Sequence, residues 1–298
     1  MHADSLAIAI RGLNALLMMA LGLTLGVVVA RRWKQPWGLF GMGAATFVLS
    51  QVAHIPFNSL VLNALLTRLG WTDLTSVGTL VGVAASLGLS AGVFEEGARW
   101  LMFRFWARKA RRWDEALMIG AGHGGIEAIL LGGLALYALL QALALQGTDL
   151  ASVVPADQVE IARMQLEAYW AAPWYAALLG ALERVFALCL HLSLSVLVLQ
   201  VFVRRQWIWL PLAIAWHALV DGAAVAALQH VGVYWTEALV GVFALLSLAI
   251  VAALRNLSGT TPVDTAGAPP ADGRPARRQD EPPSAERLDD SRFAVSRG

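Results

Sequence analysis

Charged and imidazole side chains occur inside stretches of this sequence that are otherwise apolar. The stretch SAGVFEEGARWLMFRFW, at 90–106, contains two adjacent glutamates, Glu95 and Glu96, followed by Arg99. A charged side chain near the centre of a lipid bilayer costs about 3 kcal/mol on insertion scales, so such residues usually have a partner or a function. Carboxylates beside cationic or imidazole groups are the residue types that general acid–base catalysis uses.

Three later apolar stretches each carry a polar pair separated by four positions, as Glu95 and Arg99 are. Residues four apart lie on the same face of a helix. Each stretch therefore presents one polar stripe, and four such stripes can be hidden from lipid only if they face one another. The three later pairs are His123 with Glu127 in GAGHGGIEA, His191 with Ser195 in HLSLS, and His217 with Asp221 in HALVD.

The apolar stretches are long enough to cross a membrane, which takes about 20 residues each. With 58% hydrophobic and 14% charged residues in 298, the composition excludes a water-soluble fold. We predict an all-α fold, a polytopic membrane helix bundle of about seven transmembrane helices over residues 1–257. The predicted spans are 12–30, 38–66, 75–103, 115–145, 172–203, 208–228 and 233–254.

Basic residues are concentrated after every second span. By the positive-inside rule these places are cytoplasmic, which puts the N-terminus outside and the C-terminus inside. We expect an integral protein of the bacterial plasma membrane, with the lipid bilayer as a partner. The basic groups are Arg31, Arg32 and Lys34; Arg104, Arg108, Lys109, Arg111 and Arg112; Arg204 and Arg205; and Arg255.

The segments outside the spans carry less information. Residues 157–170 have the apolar spacing of a helix that lies at the membrane interface. Residues 258–298 are rich in Pro, Ala, Gly and charge, which predicts a disordered cytoplasmic tail. The net charge of +1 carries little information in a membrane protein, and no nucleic-acid partner is indicated. The single cysteine, Cys189, excludes an internal disulfide.

Helix rise places four of the polar residues at similar depth. Counted from the nearest basic cluster at about 1.5 Å per residue, Glu95 lies roughly 13 Å deep, His123 roughly 15 Å, His217 roughly 18 Å and His191 roughly 20 Å.

Two chemistries fit a buried group of one carboxylate and three imidazoles. Without a metal, a carboxylate activates water while imidazoles and Asp221 supply oxyanion donors and an acid. With a metal, three histidines and Glu95 hold an ion such as zinc, which lowers the pKa of a bound water.

Other interpretations of the same residues remain open. The polar cluster could hold the bundle together as a non-catalytic scaffold, or form part of a proton-coupled or ion-coupled transporter. The string Gly88-Leu89-Ser90-Ala91-Gly92 fits the G-x-S-x-G pattern of serine hydrolases, but that pattern requires a strand before the serine. His54 is best interpreted as a hydrogen-bonded packing residue.

The polar motifs, taken in order, resemble those of the YhfC family of intramembrane proteases. That family is considered related to the type II CAAX prenyl endopeptidases, the PrsW proteases and the scaffold subunit of gamma-secretase, which is not itself the protease. The resemblance covers most of the chain from Ser50 to Gly222. It rests on SQVAHIP (50–56), EEGAR (95–99), GAGHGGIEA (120–128), ERVFALCLHLSLS (183–195) and HALVDG (217–222).

The resemblance implies roles for individual residues. Glu95 resembles the water-activating glutamate, His191 the middle histidine, and His217 with Asp221 the last motif. Glu96 and Arg99 would then support them. The arginine follows the double glutamate after two residues instead of the three of the CAAX pattern, so which glutamate faces the reacting atom is left open. His123 and Glu127 belong to the YhfC-like pattern and favour a metal.

The function predicted from the sequence is therefore an intramembrane endopeptidase. It would hydrolyse a peptide bond of a membrane-associated protein or peptide near the cytoplasmic leaflet. Glu95 would act as base, with Asp221 holding His217. The remaining candidates are Glu96 as the second catalytic carboxylate, His191 and His217 as oxyanion donor and acid or as metal ligands, His123 as a third ligand or orienting group, and Arg99, Glu127 and Ser195 in support. The cofactor is either absent or a divalent metal such as zinc.

Overall fold

The computed structural model describes residues 4–257, and all regular structure in this part of the chain is helical. A π-helical turn at Asn58–Leu62 joins α2 to α3, and short 3-10 turns lie at Leu150–Ser152 and Trp174–Leu178. The helices are α1 (Ser5–Trp33), α2 (Trp37–Phe57), α3 (Asn63–Arg68), α4 (Val77–Phe105), α5 (Trp113–Ala144), α6 (Val159–Ala171), α7 (Leu179–Val203), α8 (Trp209–His230) and α9 (Val233–Leu257).

Within residues 4–257, seven helical segments are long and apolar enough to cross a membrane, which confirms the predicted all-α bundle. The orientation of the termini stays a prediction. The predicted disordered tail at 258–298 lies outside the described residues. The seven segments are Ser5–Trp33, Trp37–Arg68, Val77–Phe105, Trp113–Ala144, Trp174–Val203, Trp209–His230 and Val233–Arg255.

The first helix starts earlier than the predicted span, and this places Arg11 inside it. Its guanidinium donates to the carbonyl oxygens of Tyr169 at 2.6 Å and Ala172 at 3.1 Å. Those carbonyls belong to the last turn of α6 and the residue after it, where no helical partner remains. Arg11 therefore caps α6, and the predicted helix at 157–170 is present as Val159–Ala171.

Helix α7 is the central element of the bundle. In its most apolar stretch 67% of the residues are buried inside the protein, whereas the other six spans have 22–33%. It packs against α5, α8 and α9. Residues on α7 can therefore meet side chains from several helices, which is what a shared polar site requires.

Glycines let α5 approach α2 closely, just beside His123. A Cβ atom at Gly122 would lie 2.0 Å from the carbonyl oxygen of Phe40, and one at Gly43 would lie 2.0 Å from the carbonyl oxygen of Ile119. Small residues at membrane helix crossings allow such backbone contact. The close crossing of α2 and α5 fixes the position of His123 along the axis of the helix bundle.

We expect Gly122→Ala to lower the free energy of unfolding by about 1–3 kcal/mol, because its methyl group overlaps the α2 backbone. Unfolding of the purified protein by added dodecyl sulfate in mixed micelles measures this. Gly133→Ala, in the same helix, is the matched control, because a Cβ there meets nothing within 4 Å. An equal loss for both variants would contradict the close-crossing explanation.

Candidate functional site

Four helices bring their polar stripes together in one buried cluster. The imidazole rings of His123 and His191 are 4.9 Å apart, and those of His191 and His217 are 5.9 Å apart, measured between centroids. Burial is nearly complete: the exposed fractions are 7% for Glu95, 0% for Glu96, Arg99 and His123, 3% for His191 and 2% for His217. The convergence expected from the spacing of these residues is therefore present.

The two adjacent glutamates point to different parts of the cluster. Glu95 Oε2 lies 3.0 Å from His123 Nε2 and 4.0 Å from His217 Nε2. Glu96 forms a salt bridge with Arg99, and its Oε1 lies 2.9 Å from His217 Nδ1. Neighbouring positions on a helix are rotated by about 100°, which separates the two carboxylates. Glu95 also lines a cavity, whereas Glu96 is enclosed.

His217 has a carboxylate at each nitrogen of its ring: Glu96 at Nδ1, and at Nε2 Asp221, the partner predicted from the sequence. The carboxylate of Glu96 contacts the Nδ1 side of His217, which leaves Nε2 directed toward Glu95 and Asp221. Asp221 Oδ2 is 3.4 Å from that Nε2, and the Asp221 side chain is 39% exposed. Asp221 therefore lies on the open side of the ring, beside the cavity.

His191 is held between a carboxylate and a guanidinium. Its Nε2 lies 2.6 Å from Glu127 Oε2, and its Nδ1 lies 3.3 Å from Nη2 of Arg99. Arginine can only donate, so at this nitrogen the ring accepts and at Nε2 it donates to Glu127. The hydroxyl of Ser195, predicted as a supporting residue, is buried with no hydrogen-bond partner in the described part of the chain.

Arg184 is a member of the cluster that the sequence analysis did not select. It donates to Glu127 Oε1 at 2.5 Å and to Glu183 Oε1 at 2.5 Å, and its own side chain is only 7% exposed. It precedes His191 by seven residues, or two helical turns, so it lies on the same face. The seven-residue spacing from His191 is the sequence feature from which the place of Arg184 in the cluster could have been predicted.

Gln51 is a second member that was not selected, although it lies in the motif SQVAHIP. Its side-chain amide donates to Glu95 Oε1 at 2.9 Å. Three residues on, His54 Nε2 lies 3.0 Å from the Asn58 amide, whose oxygen accepts from Ser90 at 2.6 Å. The structure thus gives His54 and Ser90 hydrogen bonds within a polar chain between α2 and α4, next to the main cluster.

A cavity of about 280 Å³ leads from the cluster to the surface between α7, α8 and α9. Polar residues form its floor: Glu95, Glu127, His191 and His217. Its walls are apolar and include Phe186, Val220, Val240 and Phe243, and Asp221 and Glu183 also line it. The side chains of Asp221 and Glu183 are 39% and 48% exposed, so they mark the mouth.

Part of the cluster has the donor set of a divalent metal site. Within residues 4–257, ligand atoms of Glu95, His123 and His191 all lie within 4.8 Å of one another. Two imidazole nitrogens and a carboxylate oxygen are ligands that zinc accepts in catalytic sites. Glu127 bonded to His191 is the kind of outer partner that orients a metal-binding histidine. His217, included in the sequence-based ligand set, is not in this group.

We expect Arg184→Gln to lower the free energy of unfolding by about 3–5 kcal/mol, because Glu127 then loses its guanidinium in a buried site. The double variant Glu127→Gln with Arg184→Gln should recover much of that loss. Thermal unfolding in detergent measures both. Arg163→Gln serves as control, since its pair with Glu160 at 3.9 Å is exposed and worth less than about 1 kcal/mol. A similar loss in the control would contradict the burial argument.

Comparison with known proteins agrees with the geometry. The family model described as YhfC intramembrane metalloprotease matches residues 17–244. An uncharacterized membrane protein YhfC of Bacillus subtilis (strain 168) is 37% identical over 139 residues, which are 46% of this chain and 54% of that protein. The match thus spans about half the length of that curated relative. No solved structure matches. Because the family model covers more than half of the sequence, this chain belongs to the YhfC family of intramembrane metalloproteases.

Proposed function

We propose that this chain is an intramembrane endopeptidase that hydrolyses a peptide bond of a membrane-associated peptide or protein. The observation that carries the proposal is the position of Glu95. Its carboxylate is buried among His123, His217 and Gln51, yet it lines a cavity that reaches the surface. A carboxylate that is desolvated by protein and still accessible to a substrate is suited to proton transfer.

In the proposed reaction Glu95 takes a proton from water, and the water oxygen bonds to the carbonyl carbon of the peptide. The Nε2 side of His217, oriented by Glu96 on the opposite nitrogen, faces the carbonyl oxygen and stabilises its negative charge. When the carbon–nitrogen bond breaks, the proton held by Glu95 passes to the leaving nitrogen, which departs as an amine. Asp221, beside Nε2 and exposed to the cavity, orients the incoming peptide.

If a metal is bound, Glu95, His123 and His191 would hold it, and Glu95 would then be a ligand and not the base. These three residues supply the donors already within reach of one another, and Glu127 and Gln51 hold two of them in place. A bound divalent ion such as zinc polarises a carbonyl and lowers the pKa of water. Arg99 supports a metal-free alternative, because its guanidinium lies 3.3 Å from His191 Nδ1 and brings a fixed positive charge to the same place.

The cavity supports lateral entry of the substrate. Its walls belong to α7, α8 and α9 and are apolar, as an extended segment arriving from lipid requires. Glu183 and Arg184 lie near the start of α7, about 30 Å along the helix from its basic end. We therefore propose that the substrate enters from the half of the membrane remote from the basic loops, and that cleavage takes place at the depth of Glu95, near the cytoplasmic leaflet of the plasma membrane.

We expect Glu95→Gln to abolish cleavage, because the amide cannot accept the proton of water. New protein termini are counted by mass spectrometry in membranes of host cells that lack this protein and express either the wild type or the variant at equal level. Glu160→Gln, whose side chain is 72% exposed on α6, is the matched control and should cleave normally. If the wild type and Glu95→Gln produce the same termini, the scaffold or transport function takes the place of the peptidase.

We expect the purified protein to contain about one zinc or related divalent ion per chain, because the donor set is that of a catalytic zinc site. Elemental analysis by mass spectrometry reads the metal content directly, without an activity assay. His123→Ala and His191→Ala should each lose the metal, and His230→Ala, exposed at the end of α8, should keep it. A metal-free preparation that still cleaves would establish the Arg99-assisted alternative.

A further inference from the structure

A second cavity, of about 310 Å³, lies at the basic ends of α4 and α7. It shares no lining residue with the cavity that leads to Glu95. Six residues line it, and they combine two arginines with aromatic and apolar side chains: Trp100, Arg104, Val201, Phe202, Arg205 and Trp207. The peptidase proposal gives this place no role.

Both arginines of this cavity lack an acidic partner. Among the described residues, neither Arg104 nor Arg205 forms a salt bridge, and both are exposed. Arg104 lies over the ring of Phe105 at 5.8 Å, whereas the neighbouring Arg204 donates to Gln200 at 3.0 Å and lies over the ring of Trp209 at 4.8 Å. Two guanidinium groups without a counter-charge at one cavity attract an anion, and planar guanidinium groups match the geometry of phosphate.

Two tryptophans add aromatic surface to the cavity. Trp100 and Trp207 pack with ring centroids 5.4 Å apart. The indole N–H of Trp100 is buried with no hydrogen-bond partner in the described part of the chain. A buried donor left unpaired costs about 1–3 kcal/mol. Trp207 is 65% exposed, as tryptophans at the membrane interface commonly are.

The backbone places Arg205 at the cavity by an unusual turn. Arg205 has φ 55, in the left-handed region that costs residues other than glycine about 1–2 kcal/mol. This residue follows the end of α7 and turns the chain toward α8, so that Arg205 and Trp207 both line the cavity. An asparagine would fit this turn better, yet the sequence has a cation there.

We propose that this cavity binds the phosphate headgroup of an anionic phospholipid. Arg104 lies in the last turn of α4 and Arg205 just past α7, which is the depth at which headgroups meet membrane-spanning helices. The oxygen atoms of the phosphate would accept from the two guanidinium groups, and the rings of Trp100 and Trp207 would flank it. Val201 and Phe202 provide an apolar wall for the adjoining part of the acyl chains. Basic pockets between the ends of spanning helices bind such headgroups in other membrane proteins.

The experiment compares lipid binding to the full chain by native mass spectrometry in a neutral detergent, with phosphatidylglycerol or phosphatidylcholine added. The wild type is expected to retain phosphatidylglycerol and not phosphatidylcholine. Arg104→Gln combined with Arg205→Asn should weaken retention about fivefold for each charge removed. Asparagine tolerates the left-handed turn, so the variant is expected to fold, and circular dichroism with thermal unfolding checks this.

The matched control removes two charges outside the cavity. Lys34→Asn combined with Arg108→Gln changes an equivalent left-handed residue, φ 54, and an exposed arginine near the same end of α4. This control should bind phosphatidylglycerol as the wild type does. Equal weakening in both double variants, or equal retention of the two lipids, would overturn the proposal. Displacement of the lipid by millimolar inorganic phosphate would assign the site to a soluble anion instead.

Discussion

The arrangement of this protein depends on the need to neutralise charges that lie inside a membrane. Lipid offers no water to solvate a carboxylate, so each buried acid of the site has a positive or donating partner, mostly from another helix. These pairings join α2, α4, α5, α7 and α8 at one level. The pairs are Glu95 with Gln51 and His123, Glu96 with Arg99 and His217, and Glu127 with Arg184 and His191.

The need to neutralise buried charge also gives the two adjacent glutamates, Glu95 and Glu96, different roles. Glu96 is committed to Arg99 and His217 and has no exposed surface. Glu95 receives two hydrogen bonds from neutral or imidazole donors and lines the open cavity. One carboxylate therefore supports the structure, while the other keeps access to whatever enters the cavity. This division supports the choice of Glu95 as the base in the proposed peptidase reaction.

Close backbone packing complements the charge pairs. Gly43 and Gly122 bring α2 against α5, and Gly88 brings α4 within contact of Ala218 on α8. Without these crossings the polar stripes would be separated by the width of side chains, and their hydrogen bonds would be lost. The basic ends of the bundle are different, since several arginines there, Arg104 among them, lie over aromatic rings, and within the described residues Arg104 and Arg205 line a cavity without an acidic partner.

The sequence by itself determined the seven spans, because about 20 consecutive apolar residues have few alternatives to crossing a membrane. It also determined which polar residues share a helix face, through their spacing of four, and hence that His123, His191 and His217 would meet near Glu95. Those predictions need only helix periodicity and the cost of exposing polar groups to lipid.

Only the tertiary structure decided which glutamate faces the cavity and that Glu96 contacts His217 in addition to Asp221. Helix periodicity fixes relative angles within one helix, but the rotation of each helix and the rotamer of each side chain follow from packing against neighbours. For the same reason, the contact of Gln51 with Glu95 and that of Arg184 with Glu127 follow from the packing of α2 and α7 against the core, even though its spacing places Arg184 on the helix face of His191.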